Sequence, residues 1–207
     1  MSNLIRAMMG ASGGTVCEDR PSNTKLLVHS SHANTSTTFT DSSASTHTMT
    51  ANGNVQHSTA QAKFGGSSIL FDGTGDYLSA PDHADFDVVG VNFTFACFVR
   101  PTQVGNVGVI AAKLASLYVG WEFGLDNLSQ LYILVGNGSN GFDGNDYAAT
   151  YTALTVDTWY HVALVKNGTN WKTYLNGVNL GSETATGDDQ TDVFAIGADV
   201  GWTEGSP

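Results

Sequence analysis

Trp171-Lys-Thr-Tyr-Leu-Asn176-Gly177-Val-Asn-Leu180 decides the fold class. Two short runs alternating large apolar and polar side chains flank an Asn-Gly pair, which readily takes the positive φ angles of a two-residue hairpin turn. The stretch therefore reads as a β-hairpin. Asn52-Gly53, Asp72-Gly73, Asn137-Gly138, Asp143-Gly144 and Asn167-Gly168 repeat the signal, and each is expected to mark a chain reversal.

Working outward, strand-like runs fall at Lys25–His29, Thr37–Thr40, Thr46–Thr50, Asn54–Thr59, Ser67–Phe71, Tyr77–Ala80, Phe93–Arg100, Val107–Lys113, Tyr118–Leu125, Gln130–Val135, Thr150–Val156, Trp159–Lys166, Trp171–Leu175, Val178–Gly181 and Val193–Ile196. In Trp159–Lys166 both alternating sets are largely apolar, so this strand is expected to be covered on both faces or to curve across the middle of the sheet. Without a convincing amphipathic helix, the pattern predicts an all-β fold of two packed antiparallel sheets. Residues 1–23 lack periodicity and are rich in glycine; they read as an irregular N-terminal arm outside the core, with one sandwich domain over 24–207.

Composition narrows the function classes. Of the 207 residues, 41% are hydrophobic and 13% charged, with a formal net charge of -11 and eight basic residues. Binding to a phosphate backbone needs clustered Lys and Arg, so no nucleic-acid partner is expected. No run reaches the length of a membrane span, and Arg6 interrupts the apolar N-terminus, which makes a poor secretion signal. Synthesis and folding in a cytoplasm are expected. Cys17 and Cys97 are the only cysteines; Cys97 lies in an apolar run and reads as a small buried thiol, so no disulfide framework is implied.

Several ordered motifs resemble the laminin G-like domain in its concanavalin A-like form. Lys63-Phe-Gly-Gly-Ser-Ser-Ile-Leu-Phe-Asp-Gly-Thr-Gly-Asp-Tyr-Leu78, Phe93-Thr-Phe-Ala-Cys-Phe-Val-Arg-Pro101, Trp159-Tyr-His-Val-Ala-Leu-Val-Lys166, Trp171–Val178 and Phe194-Ala-Ile-Gly197 follow the family's order. The resemblance implies a jelly-roll sandwich and places Trp159 and Trp171 in its core. Thr24-Lys-Leu-Leu-Val-His29 with Thr38-Phe-Thr-Asp-Ser-Ser43 looks like variants in tailed-phage structural proteins. That implies a virion protein made in a host bacterial cytoplasm, such as a head decoration, tail or fibre-associated subunit, whose partners are other capsid or tail chains or further copies of itself. The family usually closes with an apolar strand pairing with the first one; no such strand follows Gly197 here, so an exposed edge is expected near Lys25–His29, to be filled by a continuation of the chain beyond Pro207, by a neighbour or by the arm.

Five kinds of centre bear on function. Glucanases on this fold use alternating carboxylates of one strand, whereas the four glutamates, Glu18, Glu122, Glu183 and Glu204, are dispersed, so no catalytic residue and no enzyme is expected. A Ser-His-Asp or Cys-His centre assembles from distant positions and is not excluded by spacing. The histidines are not at metal-ligand spacing on a helix, so zinc is not expected. Calcium takes acidic loops, and Asp72/Asp76, Asp82/Asp85/Asp87, Asp143/Asp146 and Asp188/Asp189/Asp192 are clusters of that type, though Asp also serves as a turn former. By resemblance Asp199, after Ile196-Gly197-Ala198, is the expected calcium ligand; partner oxygens would come from near Lys113–Ser116, which offers no carboxylate. For a host-surface glycan the expected contacts are Trp202, Asp199, Tyr118 and Trp121, since ring faces pack on sugar C–H surfaces while carboxylates bond hydroxyls.

Overall fold

The computed structural model describes residues 2–6, 23–116, 119–136, 142–147 and 153–200. Among the described residues the strands are, in chain order, β1 (Ser2–Arg6), β2 (Thr24–Leu26), β3 (Thr50–Asn52), β4 (Gln56–Ser58), β5 (Ser68–Leu70), β6 (Tyr77–Ala80), β7 (Asn92–Val99), β8 (Gly108–Ser116), β9 (Val119–Leu125), β10 (Leu131–Gly136), β11 (Phe142–Tyr147), β12 (Tyr160–Asn167), β13 (Asn170–Leu175), β14 (Val178–Thr184) and β15 (Phe194–Ile196), with a 3-10 turn at Ala84–Phe86. They form a six-stranded sheet, β14-β13-β12-β7-β1-β2, a seven-stranded sheet, β11-β10-β9-β8-β15-β6-β3, and the small pair β4-β5. This is the expected all-β, mainly antiparallel sandwich.

The hairpin that opened the reading is β13-β14, closed by Asn176 at φ 50° and Gly177 at φ 83°. Its inner side chain Trp171 is fully buried and donates its indole N–H to the Ala185 carbonyl at 2.9 Å. Phe93 and Phe95 on β7 meet Trp121 and Phe123 on β9 across the sandwich, with ring centroids 5.5 and 6.2 Å apart. Phe93 also stands edge-on to Trp171, and Phe194 of β15 reaches both Trp121 and Phe86. Aromatic side chains that each bury a large area thus join both sheets in one core.

Strand β12 lies between β7 and β13 with Val162 and Leu164 in the core, but its other alternating set is less covered: Ala163 is buried while Trp159, His161 and Val165 are half-buried, so one face is core and Trp159 is not the core residue that the resemblance implies. Lys166 ends that inward row. Its ammonium donates to the carbonyls of Val91 and Gly168 at 3.1 and 2.7 Å and lies 5.7 Å from the Trp171 ring centre, so the charge is held by carbonyl dipoles and a π face.

Three further expectations change or narrow. Ser2–Arg6 is not irregular: it is a strand inserted between β7 and β2, parallel to both. The rest of the expected arm, 7–22, lies outside the described residues. Second, the edge near Lys25–His29 is not left open: of the occupants expected for it, the arm supplies one through β1, and the other side is engaged as well. Beyond the β1 pairing, Val28 bridges Asp41, Ser42 N–H donates to the Leu27 carbonyl, Leu27 N–H to Asp41 Oδ1, and Ser43 Oγ to the Lys25 carbonyl. Backbone groups at a sheet margin need partners, and the adjoining chain supplies them. Third, Asp143-Gly144 is not a reversal. It lies inside β11, where Gly144 pairs with Val135, because ladder pairing with β10 overrides the local turn preference.

Candidate functional site

Strand β9 carries Gly120-Trp-Glu-Phe-Gly124. Side chains alternate across a strand, so with Trp121 and Phe123 in the core, Glu122 faces the opposite side of the seven-stranded sheet. Cross-strand register places Leu134 of β10 and Ala112 of β8 opposite Glu122, then Ala195 of β15 opposite Ala112, and Ser79 of β6 opposite Ala195. One carboxyl therefore stands in a row of small or apolar residues. Its two neighbours on the same face of β9 are glycines for a steric reason: a Cβ on Gly120 would lie 2.1 Å from the Lys113 carbonyl oxygen, and one on Gly124 would lie 2.9 Å from the Tyr132 ring. Tyr132 uses the space over Gly124 to donate its hydroxyl to Glu122 Oε1.

Glu122 is only 5% exposed. Burial, reinforced by the nearby Asp199 charge, pushes its carboxyl up to about 7. Removing a carboxylate from water disfavours its charged form, and a second negative group adds to the effect. The result is a protonatable carboxyl beside a phenol, with half-buried Asp199 close enough to act on it.

Of the residues expected from the sequence, Asp199 is brought to this cluster. Trp202 and Tyr118 lie outside the described residues. Trp121 is corrected: it is 1% exposed and packed between Phe93 and Phe194, so its ring is core and cannot present a face to a sugar. Glu122 and Tyr132 are not among the site residues expected from the sequence. The available signal was a lone glutamate centred in an apolar strand and bracketed by glycines.

Several carboxylates of the acidic clusters expected as calcium candidates have partners within the chain. Lys113 lies in β8, 2% exposed, with its ammonium 2.9 Å from Asp82 and 2.7 Å from Asp87. Burial alone would lower the lysine, but hydrogen bonds and charges from Asp87 and Asp82 outweigh it and raise its pKa. Asp85 pairs with Lys25 at 2.8 Å. Asp76 accepts the backbone N–H groups of Asn54 and Asp72, Asp72 that of Thr74, and Asp189 those of Val88 and Val89. These are the bonds of turn and loop formers. The side chains of Asp143 and Asp146 lie outside what is described.

A serine-histidine pair does exist. Ser30 Oγ lies 2.7 Å from His57 Nδ1, and His57 Nε2 lies 2.9 Å from the Thr38 carbonyl, which fits a tautomer protonated at Nε2. Both side chains are fully buried, so the pair ties loops together and a substrate cannot reach it. Burial also pushes the Cys97 thiol up to about 12, far from the thiolate a nucleophile requires.

No curated protein matches the chain. Among solved structures it is similar to domain 4 of AbnA, a GH43 extracellular arabinanase from Geobacillus stearothermophilus, solved in complex with arabinotriose. That likeness has 17% identity and a TM-score of 0.56 over 75% of this chain and 76% of the other. Two mutant forms of HCR/D are similar at 14% and 15% identity, with TM-scores of 0.57 and 0.60. They cover 79% and 83% of this chain, which spans 42% and 43% of theirs. At such identities the likeness shows the fold. Residues 72–207 match the family model of the concanavalin A-like lectin/glucanases superfamily, and the chain belongs to that superfamily.

Proposed function

We propose that the protein is a non-enzymatic carbohydrate-binding module, displayed on a virion and assembling there with other virion subunits. The observation that carries the binding reading is the Glu122-Tyr132 pair on one side of the seven-stranded sheet, with the Asp199 charge near enough to act on Glu122. Half-buried Asp199 accepts hydrogen bonds from ligand hydroxyls, while the buried Glu122-Tyr132 pair fixes the floor behind it. The arabinotriose complex of a structurally similar domain supports carbohydrate as the ligand class. The virion setting rests on the resemblance of Thr24–His29 and Thr38–Ser43 to tailed-phage proteins.

Glycan-array screening of the full chain, followed by calorimetry on the best ligand, tests the binding reading. Arabinan oligosaccharides belong among the first probes. Asp199→Ala and Tyr132→Phe are expected to lower affinity at least about tenfold without unfolding the domain, in line with loss of one charge-assisted contact or its support. Incubation with the bound glycan should yield no hydrolysis products. A screen with no glycan bound, with or without calcium, removes the binding reading; turnover abolished by Glu122→Gln removes the non-enzymatic one. Finding the chain in purified particles by mass spectrometry tests the setting.

A further inference from the structure

Away from Glu122, the segment between β2 and β3 and the turn after β6 bring two imidazoles and a carboxylate together. Asp41 builds the first part: its Oδ1 accepts the N–H groups of Leu27 and Ser43, and its Oδ2 that of His47, at 2.8–2.9 Å. With its backbone so held, the His47 ring packs on Phe86 at 4.6 Å and meets the His83 ring nearly edge-on at 4.8 Å. Asp85 Oδ2 lies 3.2 Å from His47 Nε2 and 3.5 Å from His83 Nδ1. All three ligand atoms fall within 4.8 Å of one another, in a group of the kind that holds a metal ion.

We propose that His47, His83 and Asp85 bind one zinc-class divalent cation, leaving a coordination position open to water on the exposed His83 side. Ligands of a tetrahedral ion with bonds of ~2.0–2.1 Å stand about 3.3 Å apart, so two edges of the group already have the required length. Two neutral imidazoles with one carboxylate select zinc or its borderline neighbours; calcium demands six or more oxygens. The supporting contacts are those of a held ligand. Lys25 Nζ binds Asp85 Oδ1 at 2.8 Å and leaves Oδ2 turned to the histidines, while Ser45 Oγ donates to Oδ2 at 2.6 Å. His83 Nδ1 accepts the Asp85 N–H at 3.1 Å. The ion takes over that lone pair, and a side chain 54% exposed has room to turn toward it.

The test uses the full chain with zinc chloride alone as titrant in calorimetry, and cobalt(II) as a spectroscopic probe. The expected result is one equivalent of zinc bound, cobalt bands in the visible with four-coordinate intensity, and no displacement of cobalt by excess calcium. His83→Ala changes an exposed side chain; it should weaken zinc at least about tenfold and remove any zinc-induced rise in melting temperature. His47→Gln should do the same, and His161→Ala should leave uptake unchanged. The proposal is overturned by an absence of saturable uptake in the wild-type chain, by six-coordinate cobalt displaced by calcium, or by one-equivalent uptake surviving His83→Ala.

Discussion

Glu122 should leave a signature in the pH dependence of stability. Its carboxyl titrates near 4.5 when exposed to water and at about 7 in the folded chain. Between those values the folded state holds more protons than the unfolded one, so stability falls as pH rises through the window and stays lower above it. A shift of this size corresponds to roughly 3 kcal/mol at most. Glu122→Gln keeps an acceptor for the Tyr132 hydroxyl but cannot ionise. The variant is expected to match wild type near pH 4 and to exceed it by up to roughly 3 kcal/mol at pH 8, measured by urea denaturation at both pH values. Parallel pH profiles for the two proteins would exclude this assignment. His57 acts on the acid side. Burial, partly offset by its bond to the Thr38 carbonyl, holds its pKa below 6.5. The unfolded chain therefore takes up that proton first as pH falls below 6.5, and stability drops from there down to the folded-state value. His57→Gln should flatten this limb of the same profile.

At the scale of the element, β1 and the β13-β14 hairpin show opposite degrees of legibility. The hairpin was readable because its turn chemistry is local: Asn176 and Gly177 carry the positive φ that their residue types accept. Gly177→Ala places a side chain at φ 83°, and a loss of about 1 kcal/mol by chemical denaturation is expected. β1 was not readable. Ser-Asn-Leu-Ile-Arg has no alternation and no turn signal beside it; what makes it a strand is the ladder offered by β7 from Ser2↔Asn92 to Arg6↔Ala96, a partner some 90 residues away. β11 is the same case, with Asp143-Gly144 reading locally as a turn. Glu122 and the His47-His83-Asp85 group were hidden for a related reason, since each is assembled by register or by contacts between separate loops, whereas Asp199 sits beside a recognisable strand motif. Deleting residues 1–6 should expose one side of β7 and cost about 2–5 kcal/mol, the net worth of some five ladder bonds. A truncated chain that melts at the wild-type temperature would show that β1 contributes nothing to the isolated protein.

Whether the whole molecule unfolds as one unit depends on how the sheets are joined. Phe93 and Phe95 project from the six-stranded sheet, Trp121, Phe123 and Phe194 from the seven-stranded one, and Trp171 closes over Phe93 from the hairpin. Separating the sheets exposes all of these faces together, so no stage exists in which one sheet keeps its inner surface buried without the other. Phe93 touches both Trp121 and Trp171 and lies at the join. Phe93→Ala should cost about 3–5 kcal/mol through lost burial and the cavity left behind; Phe93→Leu, which refills part of that volume, should cost clearly less. In urea, both variants should unfold in a single transition, with tryptophan fluorescence, which reports the core, coincident with far-ultraviolet circular dichroism, which reports both sheets. Separation of the two curves would mean that the sheets unfold independently and that the aromatic join is weaker than its geometry implies.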